Sequence, residues 1–422
     1  MAAPSAVAAA QAALDSLGST ATTTLVVDNG GGSIKAGLVG ADGTPVMVPN
    51  VAAKPHAVRR SYVGAEVAEA TNRNRLYLRR PVDRGYVTNW NLETRIWSHV
   101  LRDTGADPSA STLLMLMPMF APPSIAVDAV ETLFEDLGFA ALALSTPPAM
   151  VGRDYMARTG EPGCLVLDAG FSFTHALPFF GGTPVTSAVR RLDLGGKALS
   201  NHLAALLSYR TVDLRRDPML VTHIKETCCT VASDYLSVVK GLSGDGPASP
   251  GELRNSLTAR YLLPNYTTVR EGRMLADSED DPENMQVLRF ALERLSVPEL
   301  LFHPSDAGLD ECGVHELIAD AVAATPQLMR IPLYNNIIAV GGSTLFPGFL
   351  PRLEADLRPL VEASYDLTLH RPPPQESAID HAWHAASRFA ASPAFSDHIV
   401  TQAQFAEEGF SRIESFFLDL AL

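Results

Sequence analysis

The hydrophobic positions of this chain form short apolar runs that alternate with stretches of helical periodicity. Three runs, Leu25-Val26-Val27, Leu165-Val166-Leu167 and Ile337-Ile338-Ala339-Val340, each lead directly into a glycine-rich turn. Short β-branched runs of this kind are typical of strands that are buried on both faces. Strands that alternate with helices along a chain predict an α/β fold.

Several elements follow from the pattern between these runs. The first run and residues 36–39 flank one glycine turn, which predicts a β-hairpin. Residues 92–101 repeat apolar side chains at helical spacing, with Ile96 and Val100 on one face, which predicts a buried helix. Further predicted elements are a strand at 113–117, a helix at about 125–137 that Pro122-Pro123 opens, a helix at 199–207, and a helix at 286–295 that Pro298 stops.

Polar and small residues mark the segments between the elements. Residues 1–21 are rich in alanine without a basic start, which predicts a disordered tail rather than a signal peptide. Residues 241–251 contain glycine, serine and proline and predict a flexible insertion. Residues 276–283 are acidic, and we expect them to be solvated. Phenylalanines 405, 410, 416 and 417 are expected to be core residues or partner anchors.

Composition limits the classes that fit. The chain has 422 residues, enough for two domains with complete cores, and 46% of them are hydrophobic. Its formal net charge of −14 argues against a general polyanion-binding protein. The four cysteines form no Cys-x-x-Cys pair, which favours reduced, buried thiols in a cytosolic or nuclear protein over a zinc site. No apolar run reaches the length of a membrane span.

The glycine turns carry the candidate chemistry. The first two share the form of an apolar run followed by Asp-x-Gly, in Asp28-Asn29-Gly30 and Asp168-Ala169-Gly170, and the third begins at Gly341-Gly342. Glycines let backbone N–H groups approach an anion closely, and an aspartate at the strand end can hold a hydrated Mg²⁺. Three such turns predict a duplicated strand unit that closes on one nucleotide from two sides.

These turns resemble those of actin, and the resemblance extends over nearly everything from about residue 22 onward. The run Phe171-Ser172-Phe173-Thr174-His175 is similar to one class of the family, called actin-related protein 6, as are residues 201–203, 208–210 and 342–349. Further segments that look like actin are 61–66, 85–90, 191–196, 224–226 and 298–305.

The resemblance implies an α/β actin-like ATPase fold, with two duplicated ribonuclease-H-like lobes around a nucleotide cleft and with inserted subdomains. The first lobe would comprise 22–158 and 365–422, with a small inserted subdomain at about 50–80. The second would comprise 159–364, with an inserted subdomain at about 195–297.

The resemblance also assigns residues to a nucleotide. Asp28 and Asp168 would face Mg²⁺ through water. The positions that would face ATP are Gly30, Gly31, Gly32 and Lys35 on the first turn, Gly170 on the second, Lys225 and Glu226 beside the adenosine, and Gly341, Gly342, Ser343 and Phe346 at the third.

Three departures from actin affect the expected chemistry. Gly31 stands where actin has a serine that donates to the terminal phosphate, and Phe171 stands where it has a second aspartate. Pro147 stands where it keeps the glutamine that orients the attacking water, and His175 alone cannot restore that orientation. Because hydrolysis depends on such positioning, we expect no catalytic residues and little or no ATP hydrolysis. Whether ATP with Mg²⁺ is bound stays open.

Surface segments depart from actin as well. Residues 49–62 leave only a short version of a loop that bridges subunits in the actin filament, and Arg84 and Trp383-His384-Ala385-Ala386 also differ. We therefore expect a chain that is not a homopolymer. A basic cluster is either a solvated or paired surface, or a contact with an acidic patch or nucleosomal DNA; its members are Arg59, Arg60, Arg73, Arg75, Arg79, Arg80 and Arg84.

The class resemblance implies a structural subunit of SWR/SRCAP-type chromatin remodellers, which exchange histone dimers for those carrying the Z-type variant of histone H2A. The expected partners are the remodelling motor and a zinc-HIT-type subunit, with indirect contact to histones or the nucleosome and none to membranes. The expected location is the nucleus, with some cytoplasmic protein allowed. The alternative is a conventional actin-like ATPase that forms cytoskeletal filaments. A sugar kinase or chaperone ATPase of the same fold is less supported, because no separate catalytic motif or extra domain is present.

Overall fold

A computed structural model describes residues 23–40, 43–55, 61–69, 76–210, 212–247 and 249–410. The alanine-rich tail, Phe416, Phe417, Arg59, Arg60, Arg73 and Arg75 lie outside these ranges. The strands are β1 Thr23–Asn29, β2 Ser33–Leu38, β3 Val46–Pro49, β4 Ala52–Pro55, β5 Tyr62–Val63, β6 Leu76–Arg79, β7 Val82–Asp83, β8 Tyr86–Val87, β9 Ser111–Leu116, β10 Ala141–Ser145, β11 Gly163–Ala169, β12 Thr174–Phe180, β13 Thr183–Pro184, β14 Arg190–Leu192, β15 Ala259–Leu262, β16 Arg273–Met274, β17 Val287–Phe290, β18 Ile337–Val340, β19 Leu369–His370 and β20 Val400–Thr401.

Helices connect most of these strands and cover both sheets. They are α1 Glu66–Glu69, α2 Trp90–Thr104, α3 Pro123–Glu131, α4 Pro147–Thr159, α5 Gly196–Arg210, α6 Pro218–Cys228, α7 Tyr235–Ser243, α8 Pro250–Leu257, α9 Glu293–Glu299, α10 Val314–Ala323, α11 Gln327–Asn335, α12 Phe349–Leu357, α13 His381–Ala390 and α14 Gln402–Glu408. Across the described segments, no helix combines the length and the apolar character that a bilayer crossing requires.

Two large sheets with matching topology organise the molecule. The first has the strand order β20-β10-β9-β1-β2-β3, and the second has the order β13-β12-β11-β18-β19, with β14 also beside β12. In each, a hairpin is extended by parallel strands: β1 is antiparallel to β2 and parallel to β9, and β11 is antiparallel to β12 and parallel to β18. The predicted α/β fold with two duplicated lobes is confirmed.

The strand register shows how close the duplication is. Asp28 lies opposite Lys35 in the first hairpin, and Asp168 lies opposite His175 in the second. Both aspartates therefore lie near the carboxyl end of a central strand, where ligands bind in open α/β sheets. The third glycine turn follows β18, whose last residue Val340 lies beside Asp168.

One hydrophobic cluster fills the space between the two sheets. Helices α4 and α13 supply Tyr155 and Trp383 to it, and the facing strands supply Val26 and Val166. The indole Nε1 of Trp383 donates to the Val26 carbonyl over 3.0 Å. A β-carbon built on Gly37 would lie 2.7 Å from the Trp383 ring, so this glycine allows the helix to lie close to the first hairpin. The two lobes therefore share a core behind the turns.

The outer faces of the sheets have cores of their own. Helix α2 confirms the predicted helix and buries Ile96, Trp97 and Val100 against the first sheet. Phe405 packs on Phe134 with ring centroids 5.1 Å apart, and Phe410 packs at the edge of the same cluster, so these two tail residues belong to the core. The outer face of the second sheet is covered mainly by α5, α6 and α9 to α12.

The prediction of a helix at 286–295 was wrong. Residues Val287–Phe290 form strand β17, which pairs with β15 of the inserted subdomain. Alternate residues of this strand are buried, and a period of two decides the structure once a partner strand is present. Helix α9 follows at Glu293–Glu299 and contains Pro298, which therefore does not stop a helix before it.

The expected flexible insertion at 241–251 is also corrected. Helix α7 runs into it as far as Ser243 and ends at Gly244 with φ of +98°. Helix α8 begins at Pro250 behind a capping box that Ser249 and Glu252 form. The turn and cap residues that suggested a loop therefore end one helix and start the next.

The acidic segment 276–283 is paired rather than only solvated. Arg260 donates to Asp281 over 3.0 Å, and Arg273 donates to Glu279 over 2.9 Å. Arg289 forms a further ion pair with Asp281. These arginines come from the three strands of the inserted subdomain, so the acidic segment closes that small sheet.

Strand β19 bears on the lobe boundary. Leu369 and His370 pair with β18 of the second sheet. The chain therefore passes back to the first lobe after residue 370 and not at residue 365. Helix α13 is the first helix after the return.

Candidate functional site: a cleft between the two lobes

A cavity of about 540 Å³ lies between the lobes at the glycine turns. Its volume falls in the range of small-molecule sites. The structure brings every residue that the sequence assigned to a nucleotide to the wall of this cavity; they are Asp28, Gly30, Gly31, Gly32, Lys35, Asp168, Gly170, Lys225, Glu226, Gly341, Gly342, Ser343 and Phe346.

The first turn, Gly30 to Ser33, is held from outside the cavity. The backbone N–H of Asn50 donates to the Gly32 carbonyl over 3.0 Å, and its side-chain Nδ2 donates to the Gly30 carbonyl over 3.2 Å. A β-carbon on Gly30 would lie 2.8 Å from the Ser33 carbonyl, so only glycine allows this turn. The carbonyls are therefore occupied, and the turn keeps a fixed shape.

A buried carboxyl supports this turn from below. Glu93 is fully buried, and its Oε1 accepts from Asn29 over 2.7 Å and from Asn50 over 3.2 Å. Trp97 donates to the Asn29 side chain over 3.1 Å. Burial raises the pKa of Glu93 to about 7, against the opposing effect of these hydrogen bonds. Oε2 has no hydrogen-bond partner among the described residues, which favours the neutral acid.

Two aspartates and a lysine lie at the cleft floor. Lys35 forms an ion pair with Asp28, with 3.1 Å between Nζ and Oδ2. Burial and the neighbouring Asp28 raise the pKa of Asp168 to about 6, while Lys35 acts in the opposite direction. The two carboxylates come from different sheets and interact at the floor of the same cavity.

The second turn has its backbone groups engaged within its own lobe. Gly170 donates to the Phe173 carbonyl over 3.0 Å, and its own carbonyl accepts from Gly196 over 3.0 Å. Lys225 donates to the Gly196 carbonyl over 2.9 Å, and burial lowers its pKa. Glu226, the next residue, is exposed at the cleft wall.

Side chains of the second turn contact the glycines of the first turn. A β-carbon on Gly32 would lie 3.0 Å from the Phe171 ring, and one on Gly31 would lie 2.6 Å from the Ser172 hydroxyl. A serine at position 31, as in actin, does not fit beside Ser172 without a shift. The glycine at position 31 is therefore matched to Ser172, and Gly32 beside it is matched to Phe171.

Arg80 completes this contact from the first lobe. Its guanidinium carbon lies 4.6 Å from the centroid of the Phe171 ring, which is a cation–π contact. Nη1 donates to the Gly31 carbonyl over 3.2 Å and to the Asn50 carbonyl over 3.1 Å. Burial lowers the pKa of Arg80 to about 10, so the side chain stays charged at neutral pH. Of the alternatives for the basic cluster, Arg80 fits pairing within the molecule, and it lies at the cleft.

The third turn closes the cleft from the second sheet. Gly341 has φ of +89° and donates to the Ala378 carbonyl over 2.7 Å. A β-carbon there would lie 2.4 Å from the Ala169 carbonyl, so glycine is required. Ser343 donates to the Gly170 carbonyl over 3.4 Å, which joins the third turn to the second. Phe346 is buried at the cavity edge.

The position expected to orient water carries no polar side chain. Pro147 begins α4 at the cleft wall. His175 lies nearby on the wall, with its ring centroid 4.5 Å from that of Phe173 and 6.4 Å from that of Phe120. Burial, and to a smaller degree Arg191, lowers the pKa of His175 to about 3. The imidazole is therefore neutral.

Further contacts join the lobes at the cleft mouth. Arg191 donates to the Tyr86 hydroxyl over 2.9 Å and lies 4.5 Å from the Phe173 ring centroid. A β-carbon on Gly85 would lie 2.0 Å from Phe173, and Gly85 has φ of +88°. Sequence reasoning missed Arg80, Phe173 and Arg191 as cleft residues. Phe173 was signalled by the Phe-Ser-Phe run and Arg191 by the actin-like segment 191–196, whereas Arg80 stood out only as a member of the basic cluster.

The cysteines take no part in the cleft. Cys164, Cys228 and Cys229 are free and buried, as predicted, and Cys312 is half-buried. Burial raises the pKa of the Cys164 thiol to about 12, so this thiol is unreactive at neutral pH. Within the ranges that the structure covers, no group of three or more His, Cys, Asp or Glu side chains is arranged to hold a metal ion.

Comparison with known proteins agrees with this architecture. A family model described as Actin matches residues 19–417. A Drosophila melanogaster protein named actin-related protein 6 is 35% identical over 404 residues, which cover 93% of this chain and 99% of the relative. Proteins of the same name from Oryza sativa subsp. indica and Arabidopsis thaliana are 34% and 33% identical, over 93% of this chain and 98% and 99% of theirs. The chain therefore belongs to the actin family, in which it is similar to the class named actin-related protein 6.

Proposed function

We propose that this chain is a non-polymerising structural subunit of an SWR/SRCAP-type chromatin-remodelling complex, which deposits the Z-type variant of histone H2A. It acts in the nucleus, beside the remodelling motor and a zinc-HIT-type subunit, and meets histones or the nucleosome through them. The proposal extends the resemblance of its glycine turns and Phe-Ser-Phe run to the actin-related protein 6 class. In this role the chain supplies a rigid two-lobed body rather than a chemical step.

The observation that carries the proposal is that Pro147 and Phe171 both line the cleft. Pro147 has no hydrogen-bonding side chain, and Phe171 places an apolar ring where actin has an acid. Removing a single positioned group of this kind typically costs about 10²–10³-fold in rate. Slow or absent hydrolysis is therefore expected even where the glycine turns bind phosphate.

The short segment before Tyr62 supports the absence of filaments. Strand β4 ends at Pro55 and β5 begins at Tyr62, which leaves few residues for a loop that reaches a neighbouring subunit. An open filament needs a repeating contact between two different surfaces, so the loss of one surface is enough to prevent it.

Rigidity between the lobes fits a structural role. Besides the shared core, Arg80, Arg191 and Lys197 reach across the cleft mouth, the last to Asp83 over 3.7 Å. Such contacts hold the lobes together by protein groups alone. A structural subunit binds other chains more tightly when its lobes are already fixed, because little conformational entropy is then lost on assembly.

Affinity purification of the tagged chain from nuclei, followed by mass spectrometry, tests this function. We expect co-elution of a remodelling motor and a zinc-HIT-type protein at constant ratios, while a tag-only purification yields neither. Recovery mainly as polymers of the chain itself, without a motor, would instead favour the filament-forming ATPase.

A further inference from the structure

The contact of Phe171 with Gly32 and Arg80 occupies the gap between the two phosphate turns. A phosphate group that accepts hydrogen bonds from both turns needs room for itself and for one N–H···O hydrogen bond on each side. The opposing backbone nitrogens would then lie on the order of 8 Å apart. The Phe171 ring instead lies in van der Waals contact with Gly32. A β-carbon built on Gly32 would lie only 3.0 Å from this ring. ATP with Mg²⁺ therefore does not fit this part of the cleft, since its terminal phosphate and metal belong between the turns.

The rest of the cleft keeps the features of a nucleotide site. The amides of Gly31 and Gly32 donate to no other group in the part of the chain that the structure describes, so they remain available to an anion. The Gly170 amide is already bound to the Phe173 carbonyl. The amides of Phe171, Ser172 and Phe173 on the second turn likewise donate to no described group, so the feature that limits a phosphate between the turns is the Phe171 ring.

Arg80 brings a fixed positive charge to that turn. Its hydrogen bonds to the described residues all use Nη1, which donates to the carbonyls of Gly31, Gly32 and Asn50. Nε and Nη2 make no hydrogen bond to the described residues and can donate to phosphate oxygens. A guanidinium recognises phosphate through such paired donors, and it does so without a metal ion.

Apolar groups line the far end of the cavity. Leu345 and Phe346 follow the third turn, and the Ile379 side chain lies 3.7 Å from the β-carbon position of Gly342. A site with apolar walls and a few positioned polar groups suits a heterocyclic base. The cavity therefore combines a base-sized apolar end with the backbone amides of the glycine turns.

We propose that the cleft binds a nucleoside diphosphate without a divalent metal ion, with Arg80 contacting the phosphates and Phe171 excluding a third phosphate. This goes beyond the structural role proposed above and does not depend on it. The chain then discriminates against ATP by shape rather than by hydrolysis.

Isothermal titration calorimetry on the full nucleotide-free chain tests this proposal. ADP and ATP are each titrated in Mg²⁺ and in EDTA. We expect ADP to bind with affinities that differ by less than about twofold between the two buffers, and ATP to bind at least about tenfold more weakly, a difference of about 1.4 kcal/mol. Equal binding of ADP and ATP, a requirement of ADP for Mg²⁺, or no binding of either nucleotide would each overturn the proposal.

Variants separate the two residues. Phe171→Ala opens the gap and should raise ATP affinity towards that of ADP, whereas unchanged discrimination would overturn the role of the ring. Arg80→Met should weaken ADP binding about tenfold. Arg79→Met is the matched control, because Arg79 is exposed and lies over Tyr77 outside the cleft. An equal loss in the two arginine variants would overturn the role of Arg80.

Folding is checked by circular dichroism at the assay temperature, because Arg80 also holds the first turn. If Arg80→Met is unfolded there, Arg80→Lys replaces it, and we expect that variant to lose ADP affinity in EDTA while Arg79→Lys does not. Failure of these titrations would leave the nuclear purification unaffected, so the two proposals fail separately.

Discussion

Replacement of Glu93 by glutamine should stabilise the protein progressively as the pH rises. Glu93 is fully buried beneath the first turn, and only one of its carboxyl oxygens has a hydrogen-bond partner among the described residues. Its pKa is about 7 in the folded protein, against an ordinary value of 4.5. Because the folded pKa is raised, ionisation opposes folding: the penalty begins above the unfolded pKa and is complete above the folded one.

The magnitude follows from these two values. The full shift corresponds to about 3 kcal/mol at high pH. Between pH 6 and pH 8.5 the penalty grows by about 1.4 kcal/mol, because part of it is already present at pH 6. This range also keeps the acidic chain, with a formal net charge of −14, well charged and soluble. Glutamine keeps the acceptor for Asn29 and Asn50 and removes the titration.

Urea unfolding, followed by circular dichroism, measures the effect at each pH. The difference in unfolding free energy between Glu93→Gln and the unaltered protein should move in favour of the variant by about 1.4 kcal/mol from pH 6 to pH 8.5. Glu131→Gln, at an exposed position of α3, is the control and should show no trend. Parallel curves for Glu93→Gln and the unaltered protein would refute the reasoning, since Glu93 would then titrate alike in both states.

Three further predictions concern packing and assembly. Gly31→Ser should lower the unfolding free energy by about 1–3 kcal/mol through its clash with Ser172, and adding Ser172→Gly should recover most of the loss in urea unfolding. Arg352→Met should cost about 3 kcal/mol, because it removes both guanidinium bonds to the buried Glu299 carboxylate and leaves His303 Nδ1 as its remaining side-chain partner among the described residues, whereas Arg289→Met at an exposed ion pair should cost less than about 1 kcal/mol. In filament-promoting salt the purified chain should stay in the supernatant on centrifugation.

Each of these has a result that contradicts it. Equal losses in Gly31→Ser and in the double variant would show that Ser172 is not the obstacle. A loss in Arg352→Met no larger than that in Arg289→Met would show that the buried Glu299 carboxylate does not depend on Arg352 for its pairing. Salt-dependent pelleting of the chain would contradict the absence of filaments.

The strands and their turns could be predicted from local sequence alone. The runs before Asp28, Asp168 and Gly341 are apolar and short, and the residues that follow are those that tight turns require. Their duplication, and the family resemblance that it carries, are confirmed by the two matching sheets and by the actin family match. Residues that are close in the sequence determine these strands and turns, so the sequence is sufficient to predict them.

Features that depend on distant partners could not be predicted. Residues Val287–Phe290 have helical neighbours in sequence, but they become a strand because Ala259–Leu262 offers an edge to pair with. The departure at Phe171 could be recognised, yet its contact with Arg80 depends on how closely the lobes approach. Arg80 follows exposed Arg79 directly, and only the fold places one in the cleft and the other outside.

The roles of the cleft residues stay predictions, although the structure gathers them. Asp28 and Lys35 form an ion pair across the first hairpin, and Asp168, on the matching hairpin of the second sheet, lines the same cavity. Their geometry can be tested by nucleotide binding, whereas the loss of turnover that we predict from Pro147 and Phe171 needs a kinetic measurement.

Phosphate release by the purified chain at saturating ATP and Mg²⁺ tests the central claim most directly. The account predicts no release above that of a protein-free control, because no side chain at Pro147 orients water and Phe171 fills the gap between the turns. Turnover at the rate of actin under the same conditions would contradict it.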